Sequence, residues 1–212
     1  MIRIKYAAAF LMFVFAGNAA ASVILTTNQA NNGLFANSGV YFDLTNLSDI
    51  DLTVMSITSA VNGDEGDAIN ASVWIRRGAS TATFDFFSSN VGWDFQGPIS
   101  SLVSGVSAGN GSLLAAFDLP DFQILGNSTV GIAFFTDLGV SYTNGAGYAP
   151  ISVSDGVLTL TGFGAASASF SGLNYFPRVF SGSVDYSQVS EPITLALLGL
   201  GLLLISVSRR IK

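Results

Sequence analysis

The 212-residue chain has no cysteine and no histidine. Without cysteine there can be no disulfide, no thiolate metal site and no cysteine nucleophile. This does not argue against export; it means only that the fold is not stapled by disulfides. Without histidine, the commonest general base near neutral pH and the commonest transition-metal ligand are missing. A Ser-His-Asp triad or a His-bound zinc site cannot be built within one chain. Basic charge is also scarce. Between Ser22 and Val189 there are three arginines (Arg76, Arg77, Arg178) and no lysine against thirteen carboxylates, a net charge of −10. Such a body binds a phosphate backbone poorly, which excludes a nucleic-acid partner. It is repelled by anionic lipid surfaces as well. Calcium and uncharged polymers are the more natural partners.

What the chain has in quantity is apolar and aromatic surface. Half of its residues are hydrophobic, with 17 Phe, 6 Tyr and 2 Trp, beside 23 glycines. That is too apolar for a disordered chain, and the length suits one domain plus terminal signals. From residue 22 to 187 the pattern is β. Short runs with period-two alternation and β-branched or aromatic residues recur: Val40–Leu44, Leu52–Ile57, Ala71–Arg76, Leu113–Leu119, Thr129–Thr136, Val157–Thr161 and Val179–Tyr186. Turn signals separate them, at Asn62-Gly63, Gly97-Pro98, Gly109-Asn110-Gly111 and Asn144-Gly145. No stretch of ten residues in this region carries a helical stripe. The expected fold class is all-β, a two-sheet antiparallel sandwich of jelly-roll type.

The two ends read as addresses. Arg3 and Lys5 precede an apolar run, Tyr6 to Ala16, and Ala19 and Ala21 fit the small-residue positions of a cleavage site. Residues 1–21 therefore read as a secretory signal peptide, with a buried N-terminal helix as the competing reading. At the other end, Ile193 to Val207 is a 15-residue apolar run. As a helix it would cover roughly 22 Å, against a hydrocarbon core of about 30 Å, so it is short for a permanent span. Arg209, Arg210 and Lys212 follow, and the positive-inside rule places them in the cytoplasm with the rest of the chain outside. Just before the run stand Ser190, Glu191 and Pro192. Proline suits a helix start, and a carboxylate suits the positive end of its dipole.

This order of Glu191-Pro192, short apolar helix and basic end resembles the PEP-CTERM sorting signal of exopolysaccharide-producing Gram-negative bacteria. Ser190 stands where that motif has its first proline. The resemblance implies that residues 188–212 form a sorting signal with a short transmembrane helix, marked by Ser190, Glu191, Pro192, Arg209 and Arg210. It implies processing by an exosortase, transient or lasting attachment to the bacterial membrane, and delivery to the cell surface or beyond. A plain single-span anchor is the competing reading. The stretches "VYFDLTN", "YTNGAGY", "SDGVLTLTGFG" and "FPRVFSGSVDYS" also resemble a recurring ectodomain of PEP-CTERM proteins. That likeness implies a fold and no chemistry.

Few residues invite a chemical role. Asp64, Glu65 and Asp67 form the densest acidic cluster and could offer hard oxygen ligands to calcium. The competing reading is a solvated hairpin turn. Trp74 and Trp93 could form a platform for sugar rings, with Asp94 or Asn90 as polar partner, or Trp93 could be joined by Tyr142 or Tyr148. Trp74, however, sits between Val73 and Ile75 in an alternating strand, so core packing competes. Arg76 and Arg77, as consecutive strand residues, point to opposite faces and make no patch. Asp43, Asp118 and Asp121 could supply a glycosidase pair, but nothing in their spacing selects one. No catalytic residue is assigned, no cofactor is expected beyond possible calcium, and the chain is expected not to be an enzyme. The expected function is a non-catalytic surface or extracellular-matrix protein associated with exopolysaccharide. The alternative is a carbohydrate-binding module acting on that polymer.

Overall fold

The computed structural model describes residues 23–27, 29–77, 84–145 and 151–189. The proposed signal peptide and the apolar C-terminal run lie outside these residues. Among the described residues there are thirteen strands and one short 3-10 turn. The strands are β1 (Val23–Thr26), β2 (Asn32–Gly33), β3 (Gly39–Asn46), β4 (Leu52–Val61), β5 (Ala68–Arg77), β6 (Asp94–Gly109) and β7 (Ser112–Ile124). There follow β8 (Thr129–Thr136), β9 (Ser141–Asn144), β10 (Ile151–Ser154), β11 (Leu158–Ala166), β12 (Arg178–Phe180) and β13 (Gly182–Gln188). The 3-10 turn, η1, spans Phe84–Phe87. The all-β reading therefore holds, with strands in two sheets. The larger is antiparallel, in the order β1-β13-β4-β7-β6-β5-β8-β3-β11-β10; the smaller is β12-β9-β2.

The larger sheet is curled, and β6 is where it turns. The first half of this 16-residue strand pairs with β5 from Asp94 to Leu102, and the second half pairs with β7 from Val103 to Gly109. Within the first half, Phe95 lies opposite Trp74 and Pro98 opposite Ser72, so β6 spends one residue more than β5. This is a β-bulge, with Gly97 at φ +97°. Gly97-Pro98 thus bends a strand; the sequence pattern suggested a turn there. Proline is tolerated at a bulge because no ladder donor is needed.

Curling buries one face of the whole sheet against itself. Phe117 of β7 meets Phe134 of β8 edge-on at 5.3 Å between ring centroids. The smaller sheet closes the core, with Phe180 of β12 4.8 Å from Phe42 of β3. Val40, Phe42 and Leu44 alternate into this core from β3, and Val73 and Ile75 do so from β5. At about 25 cal/mol per Å² of apolar surface removed from water, this continuous core is the main source of stability.

The expected strand Val179–Tyr186 is two strands. Phe180 ends β12 in the small sheet and Gly182 begins β13 in the large one. A Cβ on Gly182 would collide with the Thr58 carbonyl, so only glycine lets β13 dock on β4 there. The sequence reading also lacked β1, β2, β6, β9 and β10.

Candidate functional site

The outer face of β3, β5, β8 and β11 carries a second, aromatic layer. Along one row, Ala133 of β8 lies between Trp74 of β5 and Tyr41 of β3. The small residue leaves room for the two large rings beside it. Phe87 covers Tyr41 edge-on at 4.7 Å, and Phe170 stands perpendicular to Trp74 at 5.2 Å. The Tyr41 hydroxyl donates to the Phe87 carbonyl and accepts from the Phe170 N–H. Burial pushes its pKa up, against the opposing effect of the Phe170 N–H. One phenol thus pins two loop segments onto the sheet.

Trp93 belongs to this layer and is 6% exposed; its indole N–H donates to the Phe86 carbonyl at 3.2 Å. Trp74 is half-buried between Phe95 and Phe170. Tyr142, 2% exposed, is buried in the main core. Trp93 and Tyr142 therefore do not form an exposed sugar platform, because each is used for packing. Tyr148 lies outside the described residues.

The acidic loop is a turn. The Asp67 carboxylate accepts from the Asp64 N–H at 2.9 Å. Glu65 reaches across to β6, where its carboxylate covers Gly105. Asp64, Glu65 and Asp67 are thus not drawn to one point, and among the described residues no three acidic side chains form a group that could hold a metal ion. Asp43 stands on β3, in the half of the sheet opposite that of Asp118 and Asp121 on β7.

Arg76 and Arg77 do part company. The Arg76 guanidinium lies 3.4 Å above the centre of the Phe86 ring on the aromatic face. Arg77 points the other way, into a polar cleft of about 460 Å³. The cleft is lined by Thr53 of β4, Ile75 and Arg77 of β5, Asp94 and Gln96 of β6, and Asp121, Phe122 and Gln123 of β7. It exists because the β6–β7 ladder begins only at Val103 and Ala115. Before that point the first half of β6 follows β5, while the end of β7 follows β4. Two paired ladders diverge from the bend and leave a wedge between them. Ile75 and Phe122 are buried at its base, while Arg77, Asp94, Asp121 and Gln123 are exposed on its walls. Gln96 and Gln123 had no signal in the sequence that marked them, and Arg77 was marked only as pointing away from Arg76. Their proximity comes from the bulge and the diverging ladders.

At the end of this body, residues 188–210 match the family described as the PEP-CTERM protein-sorting motif. The chain carries a PEP-CTERM sorting motif. Ser190, Glu191, Pro192, Arg209 and Arg210 all fall within the match and outside the described residues. The PEP-CTERM motif marks the chain for export, transient membrane anchoring and final location at the cell surface or outside the cell, with exosortase as the processing partner. Its first residue, Gln188, is also the last residue of β13.

Comparison with curated proteins gives no match. Two solved structures of infectious bursal disease virus are weakly similar. The Gx strain structure is 10% identical, with a TM-score of 0.25 over 92% of this chain and 50% of that one. The Gt strain structure is 11% identical, with a TM-score of 0.23 over 82% of this chain and 42% of that one. The chain spans half or less of their length, and similarity at this level carries no conclusion.

Proposed function

We propose that this is a non-catalytic protein of the cell surface or extracellular matrix that associates with exopolysaccharide. Its body is an acidic sandwich of jelly-roll type, exported, held by its C-terminal segment and then processed by exosortase. The observation that carries this reading is the junction at Gln188, where β13, paired on both sides within the large sheet, runs straight into the sorting motif. The described part of the chain is in this way the cargo of that pathway. A body with no histidine or cysteine and a net charge of −10 supports a binding or structural role over catalysis.

The test is the intact mass and distribution of the protein from the envelope and the medium of the producing cells. The reading expects a C-terminus near Ser190 to Pro192 in protein that co-purifies with extracellular polysaccharide. A chain that still ends at Lys212 and is found only in membranes would overturn it.

A further inference from the structure

We propose that the wedge between the β5–β6 and β4–β7 ladders binds a neutral, hydroxyl-rich polysaccharide chain through Arg77, Asp94, Gln96, Asp121 and Gln123. The proposal rests on the association with exopolysaccharide proposed above and assigns that association to one place.

The lining selects the ligand class by elimination. Two carboxylates and one guanidinium leave the cleft at −1, within a body at −10. A uronate or phosphate polymer would meet repulsion there. A divalent cation requires several oxygen ligands, and the cleft offers only two carboxylates with the Arg77 charge beside them. An apolar ligand would have to strip water from five charged or amide side chains with no return. A neutral polyol matches what remains. The two glutamine amides each donate and accept, the carboxylates accept, and the guanidinium offers a fork of donors. Ile75 and Phe122 close the base but are themselves buried in the core, so the polar walls supply the contacts to a sugar. The volume of about 460 Å³ lies within the usual range of small-ligand sites. The walls are hydrogen-bonded ladders, so the site is formed before the ligand arrives and little ordering is needed on binding.

The experiment uses the full chain in a detergent without a sugar headgroup. It is titrated by calorimetry with neutral hexasaccharides of glucose, mannose and galactose, and with hexagalacturonate. The double variant Gln96→Ala/Gln123→Ala and the single variant Asp121→Asn are compared with Phe35→Ser, which lies outside the cleft; thermal melting checks that each is folded. The expected result is binding of at least one neutral hexasaccharide and no uronate binding. Binding should weaken about tenfold or more in the cleft variants and stay unchanged in Phe35→Ser. Failure of every neutral hexasaccharide, equal binding by the folded cleft variants, or preference for the uronate would each overturn the proposal. Co-sedimentation with matrix polymer from the producing cells separates the two readings. If the wild type and cleft variants sediment alike, the cleft assignment fails and the association stands. If the wild type does not sediment but binds a neutral hexasaccharide through the cleft, the association fails and the cleft stands.

Discussion

The Tyr186 hydroxyl donates a 2.6 Å hydrogen bond to Oδ2 of Asp155. Tyr186 is on β13, next to one end of the ten-strand order, and Asp155 is in the β10–β11 turn at the other end. This single bond therefore ties the two ends of the curled sheet to each other. The other oxygen of Asp155 accepts from the N–H groups of Val157 and Leu158, so the same carboxylate also shapes its own turn.

This pair should give stability a window in pH. Partial burial raises the pKa of Asp155, but the hydrogen bonds from Tyr186, Leu158 and Val157 outweigh it and hold the carboxyl below its usual value. Its contribution is present above the unfolded carboxylate pKa, near 4, and is lost as pH falls through the lowered folded value. Tyr186 moves the other way, raised by burial and by the Asp155 carboxylate. Its contribution is full below about pH 10 and is lost as pH rises through the raised folded value. Tyr186→Phe is expected to lower stability by about 1–2 kcal/mol at pH 7. Urea titrations at pH 7 and pH 3 should show the difference between the two proteins shrinking in acid. An equal loss at both values would show that the Asp155 charge plays no part.

Asn46 is buried, and its amide nitrogen lies within hydrogen-bond reach of the carbonyls of Ile50, Ile124 and Leu125, while its oxygen accepts from Ser48. It fastens the β3–β4 turn to the end of β7. Asn46→Asp keeps the shape but puts an acceptor against three carbonyls, and should cost about 2–4 kcal/mol. Thermal unfolding at pH 7 checks this; a midpoint equal to wild type would refute the role.

Phe134 joins the layers of the core, touching Phe117 at 5.3 Å and Phe180 at 6.2 Å. Phe134→Ala should destabilise by about 3–5 kcal/mol, while Phe134→Leu, which keeps most of the volume, should cost clearly less. Chemical denaturation of both variants decides. Similar small losses would mean that the core there collapses freely.

Glu191 and Pro192 lie in the matched sorting motif. Replacing both with alanine should leave the basic tail attached, so that the protein accumulates in membranes at its longer mass. Mass spectrometry of the envelope fraction reads this directly, and normal processing of the variant would separate these two residues from recognition.

The strands that were legible in the sequence are those whose alternation is strong enough to stand alone. β8 matches its expected bounds at Thr129–Thr136, and β3, β4, β5 and β7 contain the runs that announced them. β6 was hidden because Ser, Gly and a Gly-Pro bulge interrupt its apolar residues, and β5 and β7 on either side supply its pairing. The tryptophans show the same limit. Alternation placed Trp74 on the face opposite Val73 and Ile75, but the second aromatic layer covering that face depends on how η1 folds back and on the segment around Phe170, far away in sequence. The cleft was out of reach for a related reason. It is a gap between ladders, set by where β6 leaves β7, and nothing local in the sequence brings its residues together.

The placement of β13 has a consequence for the timing of export. This strand comes from the last described residues, yet it sits inside the sheet, between β1 from the first described residues and β4. Neither β1 nor the outer edge of β4 can complete its hydrogen bonds until residues 182–188 have crossed the membrane. By then the sorting motif, which starts at Gln188, has reached the translocation channel. Final assembly of the sheet and arrival of the processing signal therefore fall at the same moment. Transient anchoring through the sorting motif is a doorstop, holding the chain in place while its last strand slides in.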